Sequence, residues 1–322
     1  MTASLSGIRP QPPTVRAHDL HKTYPGGVQA VRGISFEVQA GEVFGLLGPN
    51  GAGKSTTIGM LTTTVKPSTG TAQLAGHDVV ADPIGARSVS SVVFQDSVVD
   101  RGLSGRRNLQ LHAKLWGVPG GVAEERIAAL ASSFDLDTIL TRPVDSYSGG
   151  QRRRLEIARA LVSEPQVLFL DEPTVGLDTR IRFELLDLIA GLRNRTGMTT
   201  VLTTHHLDEA ERLCDRIAIV HGGRIVALDT PAALLADLGE EIVELRVDAD
   251  GERTLARLQE RGGADDRAFA VGSTLTVPVE RGAAARTLAA VEALDIATHV
   301  VTTRRPTLDD VYLQLTGASL AA

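Results

Sequence analysis

Short apolar runs alternate with amphipathic segments over the first two thirds of the chain. The runs rich in Val, Ile, Leu and Thr are Val43–Leu47, Val167–Leu170, Thr200–Thr203 and Ile217–Val220. Continuous apolar runs of this length suit strands buried on both faces of a parallel sheet, and strands that alternate with helices indicate an α/β core. We therefore predict an α/β domain over residues 15–229.

This alternation stops between Gln95 and Val167. Most of the intervening stretch has the spacing of amphipathic helices. The expected apolar positions of these helices are Leu109, Leu111, Leu115, Ala128 and Leu130. We predict a helical subdomain at about residues 96–160, inserted into the α/β core.

The pattern of apolar and polar positions changes after Asp229-Thr230-Pro231. The segments after it read in the order strand, helix, two strands that turn at Gly272-Ser273, helix, strand, helix. The first six follow the β-α-β-β-α-β order of a ferredoxin-like unit. We expect a small α+β accessory or dimerisation domain over residues 240–322, and a flexible, proline-containing lead over residues 1–14 that lacks the apolar segment of a signal peptide.

Composition narrows the class of protein. The 322 residues are 43% hydrophobic and 22% charged, with a formal net charge of −6, which is typical of a globular chain and argues against a dedicated nucleic-acid binder. The single cysteine, Cys214, excludes an intrachain disulfide; its apolar spacing with Ala210, Leu213 and Ile217 indicates a packed helix face. No run approaches the ~18 apolar residues of a membrane span.

The segment from Gly48 to Ser55 predicts a phosphate-binding loop, because it matches G-x-x-x-x-G-K-[ST] between a predicted strand and a predicted helix. Glycines let backbone N–H groups approach phosphate oxygens, and the helix N-terminus adds positive potential. Lys54 would reach the β- and γ-phosphates, and the Ser55 hydroxyl would ligate Mg²⁺. The expected nucleotide contacts in this stretch are Gly48, Asn50, Gly51, Gly53, Lys54, Ser55 and Thr56.

An acidic pair follows the buried run Val167–Leu170. Asp171 stands where a carboxylate would hold Mg²⁺ through water, and Glu172 is placed to polarise the attacking water as a general base. Taken alone, an Asp-Glu pair after a strand is more often a helix N-cap. The phosphate loop upstream favours the catalytic interpretation.

The segment Ser148-Gly149-Gly150-Gln151, just before the acidic strand, resembles the signature motif of ABC transporter ATP-binding subunits. The other elements of that family stand in order over residues 15–229. Tyr24 resembles the aromatic that stacks on adenine, and Gln95 the glutamine that contacts Mg²⁺ or water and couples to the membrane subunit. Asp178, in Gly176-Leu177-Asp178, resembles the D-loop aspartate, and His205, rather than His206, the histidine on the γ-phosphate.

The resemblance implies a P-loop ATPase that binds ATP and Mg²⁺ and works as a head-to-tail dimer. Ser148, Gly150 and Gln151 would then bind ATP held by the opposing subunit. Tyr147, where leucine is commoner, and the tail Pro306–Gly317 resemble the daunorubicin/doxorubicin-resistance exporters. Such subunits pair with a separate ABC-2 type permease at the cytoplasmic face of the membrane, and cargo selectivity lies in that permease.

Alternatives remain at this point. One P-loop and one signature in the chain disfavour a translation-factor ATPase, and the lack of a heptad repeat disfavours a DNA-repair ATPase. A regulatory module without hydrolysis is disfavoured by Lys54, Asp171, Glu172 and His205. The tail helix is equally compatible with stabilising the fold and with dimerisation or regulation. Each functional residue, including the three arginines 152–154, has an ordinary surface interpretation when taken singly.

Overall fold

A computed structural model describes residues 12–248 and 250–317, apart from the side chains of residues 194, 195 and 300. The described chain forms two compact units. The first comprises residues 12–46, 51–204 and 222–224, and the second comprises the remainder. Because the second unit includes residues 47–50 and 205–221, this division differs from the predicted domains 15–229 and 240–322, whose boundaries stay a prediction. The predicted lead lies mostly outside the described residues.

The first unit contains strands β1 to β8 and helices α1 to α6. The strands are β1 Val15–Thr23, β2 Gln29–Val38, β3 Val43–Leu47, β4 Thr69–Leu74, β5 His77–Asp78, β6 Ser90–Val93, β7 Val167–Asp171 and β8 Thr199–Thr204. The helices are α1 Lys54–Leu61, α2 Pro83–Ser88, α3 Gly105–Leu115, α4 Gly120–Ser133, α5 Gly149–Leu161 and α6 Thr179–Thr196. The four predicted apolar runs are all strands, the last of them in the second unit.

Strands β3, β8, β7 and β6 lie side by side in that order, and the pairs β6–β7 and β7–β8 are parallel. Every residue of β3, β7 and β8 is buried, as continuous apolar or threonine-rich runs predict. A separate antiparallel sheet with the order β2-β1-β4-β5 was not predicted. Its strands alternate buried and exposed positions, as in Val15, Arg16, Ala17 and His18 of β1.

Helices α3 and α4 lie within the predicted helical subdomain, but their apolar faces agree with the prediction only in part. Leu109 is fully buried, as predicted. Leu111 is 37% exposed, Leu115 is 78% exposed, and Ala128 is exposed too. The positions that α4 buries are instead Ala123, Ile127 and Ala131. The buried face of α4 follows the four-residue helical spacing and accepts small residues, and the predicted Ala128 lies one position away from it.

The second unit contains β9 to β14 and α7 to α11. The strands are β9 Arg216–His221, β10 Arg224–Asp229, β11 Glu241–Val247, β12 Phe269–Val271, β13 Thr274–Val279 and β14 Thr298–Arg304. The helices are α7 Leu207–Leu213, α8 Pro231–Ala236, α9 Gly251–Glu260, α10 Ala284–Ala293 and α11 Leu308–Thr316. Cys214 is buried as expected, although α7 ends at Leu213 and Ile217 belongs to β9.

A ferredoxin-like sheet is confirmed in this unit. Its order is β12-β13-β11-β14, and β11 pairs antiparallel with both β13 and β14. One face carries a core with α9 and α10, built from Val243, Leu245, Leu258, Leu275, Val277 and Val291. Helix α11 packs against α7 and α8, and Tyr312 Oη lies 2.7 Å from His221 Nδ1. Among the described residues, no helix combines the length and apolarity that crossing a membrane requires.

Candidate nucleotide site

The predicted phosphate loop connects β3 to α1, as its motif requires. Gly48 and Asn50 follow directly on β3, and Gly53 is the N-cap of α1 with no side chain to cap the helix. Gly53 has φ +103°, and a Cβ there would lie 2.4 Å from the Ala30 carbonyl oxygen. Only glycine fits this position, and the helix that follows has no side-chain cap at its N-terminus, the end of a helix that attracts phosphate.

Lys54, Ser55 and the acidic pair meet at the carboxyl end of β7. Lys54 Nζ lies 3.2 Å from Glu172 Oε1, and both side chains are about 95% buried. The Ser55 hydroxyl donates to Asp171 Oδ1 at 3.0 Å. Charged groups at this depth need partners, so the structure brings together a cation, a hydroxyl and two carboxylates that sequence spacing alone leaves 116 residues apart.

The next strand fixes the orientation of the acidic pair. Asp171 lies opposite Thr203 in the β7–β8 register. The Thr203 hydroxyl donates to Asp171 Oδ1 at 2.6 Å and accepts from the Glu172 amide at 2.9 Å. Glu172 has φ +45°, a left-handed conformation that is rare for a side chain of its size. Strain of this kind persists only where the surroundings impose it, and it concentrates at functional sites.

Tyr24 lies beside the start of α1. Its hydroxyl is 3.4 Å from Thr56 Oγ1, and Lys22 Nζ lies 5.1 Å from the ring centroid. The side chain is exposed enough to offer a ring face to a ligand. An exposed aromatic next to a phosphate loop suits stacking on a nucleotide base.

The signature segment forms the N-terminus of α5, as predicted. Ser148 is the N-cap, with Ser148 Oγ accepting from the Gln151 amide at 3.2 Å and Gln151 Oε1 accepting from the Ser148 amide at 2.9 Å. Both Ser148 and Gly149 are exposed. Tyr147 is buried and donates to the Ile139 carbonyl at 2.7 Å, and burial raises the pKa of its hydroxyl. A Cβ on Gly150 would meet Ile181 of α6 at 2.6 Å, so this glycine also serves packing.

Three other predicted site residues lie at the ends of strands or helices. Gln95 is exposed two residues after β6, and Asp178 is exposed and caps α6 by accepting from the Ile181 amide at 3.0 Å. His205 directly follows β8, and its ring stacks at a tilt on His206, with centroids 4.2 Å apart.

Arg153 is the residue that sequence reasoning missed. The run of three arginines suggested a solvated helix face, but Arg153 is only 7% exposed and donates to backbone carbonyls beside Asp171 and Glu172. Arg152 and Arg154 are partly buried. Arg152 donates a hydrogen bond to the Tyr147 carbonyl, and Arg154 donates one to the Asp135 carboxylate. The only sequence signal was position: Arg153 lies four residues after Gly149, on the face of α5 that also carries Ile157.

The residues present fit a Mg²⁺–nucleotide complex. The Ser55 hydroxyl and the Asp171 carboxylate are the hard oxygen donors that Mg²⁺ prefers. The uncapped start of α1 and the buried Lys54 ammonium suit phosphate oxygens. No group of three or more His, Cys, Asp or Glu residues that could hold a metal by itself occurs within residues 12–248 and 250–317. A magnesium ion bound by Ser55 and Asp171 would take its remaining ligands from the nucleotide and from water, as is usual for Mg²⁺.

A loop that cradles phosphate, followed by an acidic pair at the end of a neighbouring parallel strand, defines a P-loop nucleotide-binding protein. The profile of the ABC transporter family matches residues 31–175. The chain is 40% identical over 309 residues to the daunorubicin/doxorubicin resistance ATP-binding protein DrrA of Streptomyces peucetius, covering 94% of this chain and 92% of that protein.

Two further similarities agree. The chain is 41% identical over 314 residues to the doxorubicin resistance ATP-binding protein DrrA of Mycobacterium tuberculosis (strain CDC 1551 / Oshkosh), covering 94% of this chain and 93% of that protein. The structure of cbiO1 from Clostridium perfringens, part of the ABC transporter complex cbiONQ, superposes with a TM-score of 0.65 at 28% identity, covering 70% of this chain and 92% of that one. This chain belongs to the ABC transporter family and is an ATP-binding ATPase subunit of it.

Proposed function

We propose that this chain hydrolyses Mg·ATP to power an ABC exporter through a separate ABC-2 type membrane subunit. The observation that carries the proposal is the convergence of Lys54, Ser55, Asp171 and Glu172 at one end of β7. Export of a drug or antibiotic-like compound is supported by relatives that are named for daunorubicin and doxorubicin resistance and are alike over nearly the whole chain.

Each residue has a role that follows from its contacts. Lys54 binds phosphate charge, and Ser55 and Asp171 hold Mg²⁺, which neutralises charge that develops on the phosphates. Glu172, whose carboxylate contacts Lys54, accepts a proton from the attacking water as the general base. Gln95 and His205 complete the site as a water-positioning amide and a γ-phosphate contact, and Tyr24 stacks on the base.

The exposed signature end of α5 is built to bind a second ATP-loaded subunit. Ser148 and Gly149 face solvent at a helix N-terminus, which attracts phosphate. Two copies arranged head to tail would each offer Ser148, Gly150 and Gln151 to the nucleotide of the other, with Asp178 close to the contact. Nucleotide then bridges the subunits, and hydrolysis releases the bridge.

The membrane subunit would dock on the surface around α3, β6 and α5, with this chain bound at the cytoplasmic face of the membrane as in the family that it belongs to. This surface exposes Leu115 and Trp116, beside a cavity of about 290 Å³. Two buried nitrogens that line the cavity, His112 Nε2 and Arg159 Nε, have no hydrogen-bond partner among the described residues. An apolar rim over the partly buried guanidinium of Arg159 suits a protein segment with an acidic side chain between apolar ones.

The dimer proposal is tested on the Glu172→Gln variant, whose slow hydrolysis preserves bound ATP. Light scattering with Mg·ATP is expected to show a dimer, and light scattering without nucleotide a monomer. Ser148→Arg in the same background is the matched control: it leaves Lys54 and Asp171 intact, so ATP binding persists while dimerisation is lost. A Glu172→Gln variant that binds ATP and stays monomeric would overturn the homodimer.

The docking proposal is tested by membrane sedimentation of the chain co-expressed with its membrane subunit. Leu115→Glu and Trp116→Glu are expected to release the chain from the membrane fraction and to leave its affinity for ATP unchanged. Val28→Glu, at an exposed apolar position 63% accessible and outside the α3 surface, serves as the control. Equal membrane binding by all three variants would rule this surface out.

A further inference from the structure

The guanidinium of Arg153 lies buried behind the acidic pair, and its N–H groups donate hydrogen bonds mainly to main-chain carbonyl oxygens. Nε donates to the Pro173 carbonyl at 2.7 Å, and Nη2 donates to the carbonyls of Asp171 at 3.1 Å and Glu172 at 3.2 Å. These carbonyls belong to three consecutive residues. One side chain therefore fixes the backbone that carries both carboxylates, including the left-handed Glu172.

The same guanidinium also holds the loop that carries Gln95. Nη1 donates to the Phe94 carbonyl at 2.6 Å, immediately before Gln95 in the chain. Nη1 also pairs with Glu156 at 2.9 Å, which compensates the buried positive charge one turn along α5. Phe94 and Asp171 stand at the ends of adjacent parallel strands, so Arg153 links the two strand ends to each other.

Helix α5 begins with the signature residue Ser148 and reaches Arg153 after little more than one turn. A helix segment this short moves as a rigid body, so a displacement of its N-terminus displaces Arg153 as well. The hydrogen bonds of Arg153 then transmit the displacement to Glu172 and to the loop of Gln95. Contact at the signature and orientation of the general base are coupled through a single side chain.

We propose that Arg153 is a positioning residue that aligns Glu172 and Gln95 for hydrolysis when α5 engages nucleotide. The proposal rests on the roles proposed above for Glu172, Gln95 and Ser148. Arginine suits this task because its planar fork carries five N–H donors in a fixed geometry. Lysine retains the charge opposite Glu156 but offers one nitrogen, which cannot reach carbonyls on both strand ends.

The first experiment compares Arg153→Gln and Arg153→Lys with Arg154→Gln. Arg154 is the matched control, since it lies on the same helix and donates its hydrogen bonds to Asp135 and Glu184 instead. Misplacement of a reacting group by about 1 Å costs about 100-fold in rate, so kcat is expected to fall by about that factor in both Arg153 variants. The KM and the Kd for a fluorescent ATP analogue are expected to stay unchanged, because Lys54 and Gly53 are untouched. Arg154→Gln is expected to keep its kcat.

A second variant separates positioning from stability, because removing Arg153 alone leaves the buried Glu156 without its hydrogen-bonded partner. In Arg153→Met/Glu156→Leu, apolar side chains of similar volume replace the whole buried pair, and such replacements are often neutral for stability. The thermal unfolding midpoint is expected to return to that of the wild type while kcat stays low. Recovery of kcat together with the unfolding midpoint would overturn the proposal and leave Arg153 with a purely structural role.

Two further outcomes distinguish a failure of the positioning role of Arg153 from a failure of the proposed role of Glu172. A loss of ATP affinity that matches the loss of kcat in Arg153→Gln would also overturn the positioning role, because it would show general damage to the nucleotide pocket. Hydrolysis by Glu172→Gln at the wild-type rate would instead contradict the proposed function of Glu172, whatever the Arg153 variants do. The kcat of Glu172→Gln is therefore measured beside them.

Discussion

The Thr203 hydroxyl donates a 2.6 Å hydrogen bond to Asp171 Oδ1, on the facing position of the neighbouring strand. Thr203 is fully buried, and its hydroxyl oxygen accepts a hydrogen bond from the Glu172 amide. A strand residue that never needs to touch nucleotide thus orients the carboxylate that we propose holds Mg²⁺ and the backbone that carries the proposed general base. Outer-shell groups of this kind set the geometry of metal ligands.

Thr203→Val keeps the shape of the side chain and removes the hydroxyl. Loss of an outer-shell partner typically costs about 10- to 100-fold in metal affinity or activity, so the Mg²⁺ concentration for half-maximal ATPase activity is expected to rise by about that factor. The measurement is a Mg²⁺ titration at saturating ATP. Thr203→Ser retains the hydroxyl and is expected to behave like the wild type; an unchanged Mg²⁺ requirement in Thr203→Val would remove Thr203 from the site.

Gly53→Ala is expected to abolish tight ATP binding. The new Cβ would sit 2.4 Å from the Ala30 carbonyl oxygen at φ +103°, so the loop must shift away from its phosphate-binding shape. Gly51→Ala is the control: it has φ +79° with open space around the Cβ, and it adds only the left-handed strain of about 1–2 kcal/mol. Isothermal titration with ATP measures both, and equal affinities in the two variants would contradict the packing argument.

Gly150→Ala separates two roles of the signature glycine. The added methyl group would overlap Ile181 Cγ2 at 2.6 Å, and overpacking of this kind costs about 1–3 kcal/mol of unfolding free energy. Gly150→Ala/Ile181→Ala makes room and is expected to regain most of that stability in urea titrations. If Gly150 also binds the opposing nucleotide, ATP-dependent dimerisation in the Glu172→Gln background stays lost in the double variant; its return would limit Gly150 to packing.

Because of His112, the free energy of unfolding is expected to depend on pH in the acidic range. Burial, with the nearby Arg159 charge, lowers its pKa to about 4 from an ordinary value of 6.5. Between these values the unfolded chain binds a proton that the folded chain does not, so unfolding free energy falls as pH drops from about 6.5 to about 4, by at most about 3 kcal/mol. Above pH 6.5 the contribution is constant.

His112→Gln removes this titration and leaves the carboxylates in place, so the difference between the two pH profiles isolates His112. In urea titrations from pH 4 to pH 7.5, the unfolding free energies of the wild type and of His112→Gln are expected to converge as the pH falls, because the wild type loses more stability. The ring of the single tryptophan, Trp116, stacks on His112 with centroids 4.3 Å apart, so its emission reports the same protonation. A fluorescence transition near pH 6.5 would place His112 in contact with water.

Much of this molecule was predictable from local pattern. Apolar runs predicted the buried strands β3, β7, β8 and β9 because a strand buried on both faces needs apolar or small side chains at every position. Turn chemistry at Gly272-Ser273 and the alternation around it predicted the ferredoxin-like order of the last elements. The antiparallel sheet of β1, β2, β4 and β5 was not predicted. Its pairs β1–β2 and β4–β5 are joined by short turns, but the β1–β4 pairing that unites them sets Val15 against Leu74, and no local pattern encodes that contact.

The sequence by itself determined the chemistry: a glycine-rich loop, its lysine and serine, an acidic pair after a buried run, and a signature motif, each specified by residue types at short spacing. Only the tertiary structure decided which of these groups meet. The register of β7 on β8 sets Thr203 against Asp171, and the packing of α5 turns Arg153 inward while Arg154 reaches Asp135 and Glu184. The physical reason is that burial and pairing depend on residues far apart in the chain, so the same three arginines serve different partners according to the face that the fold covers.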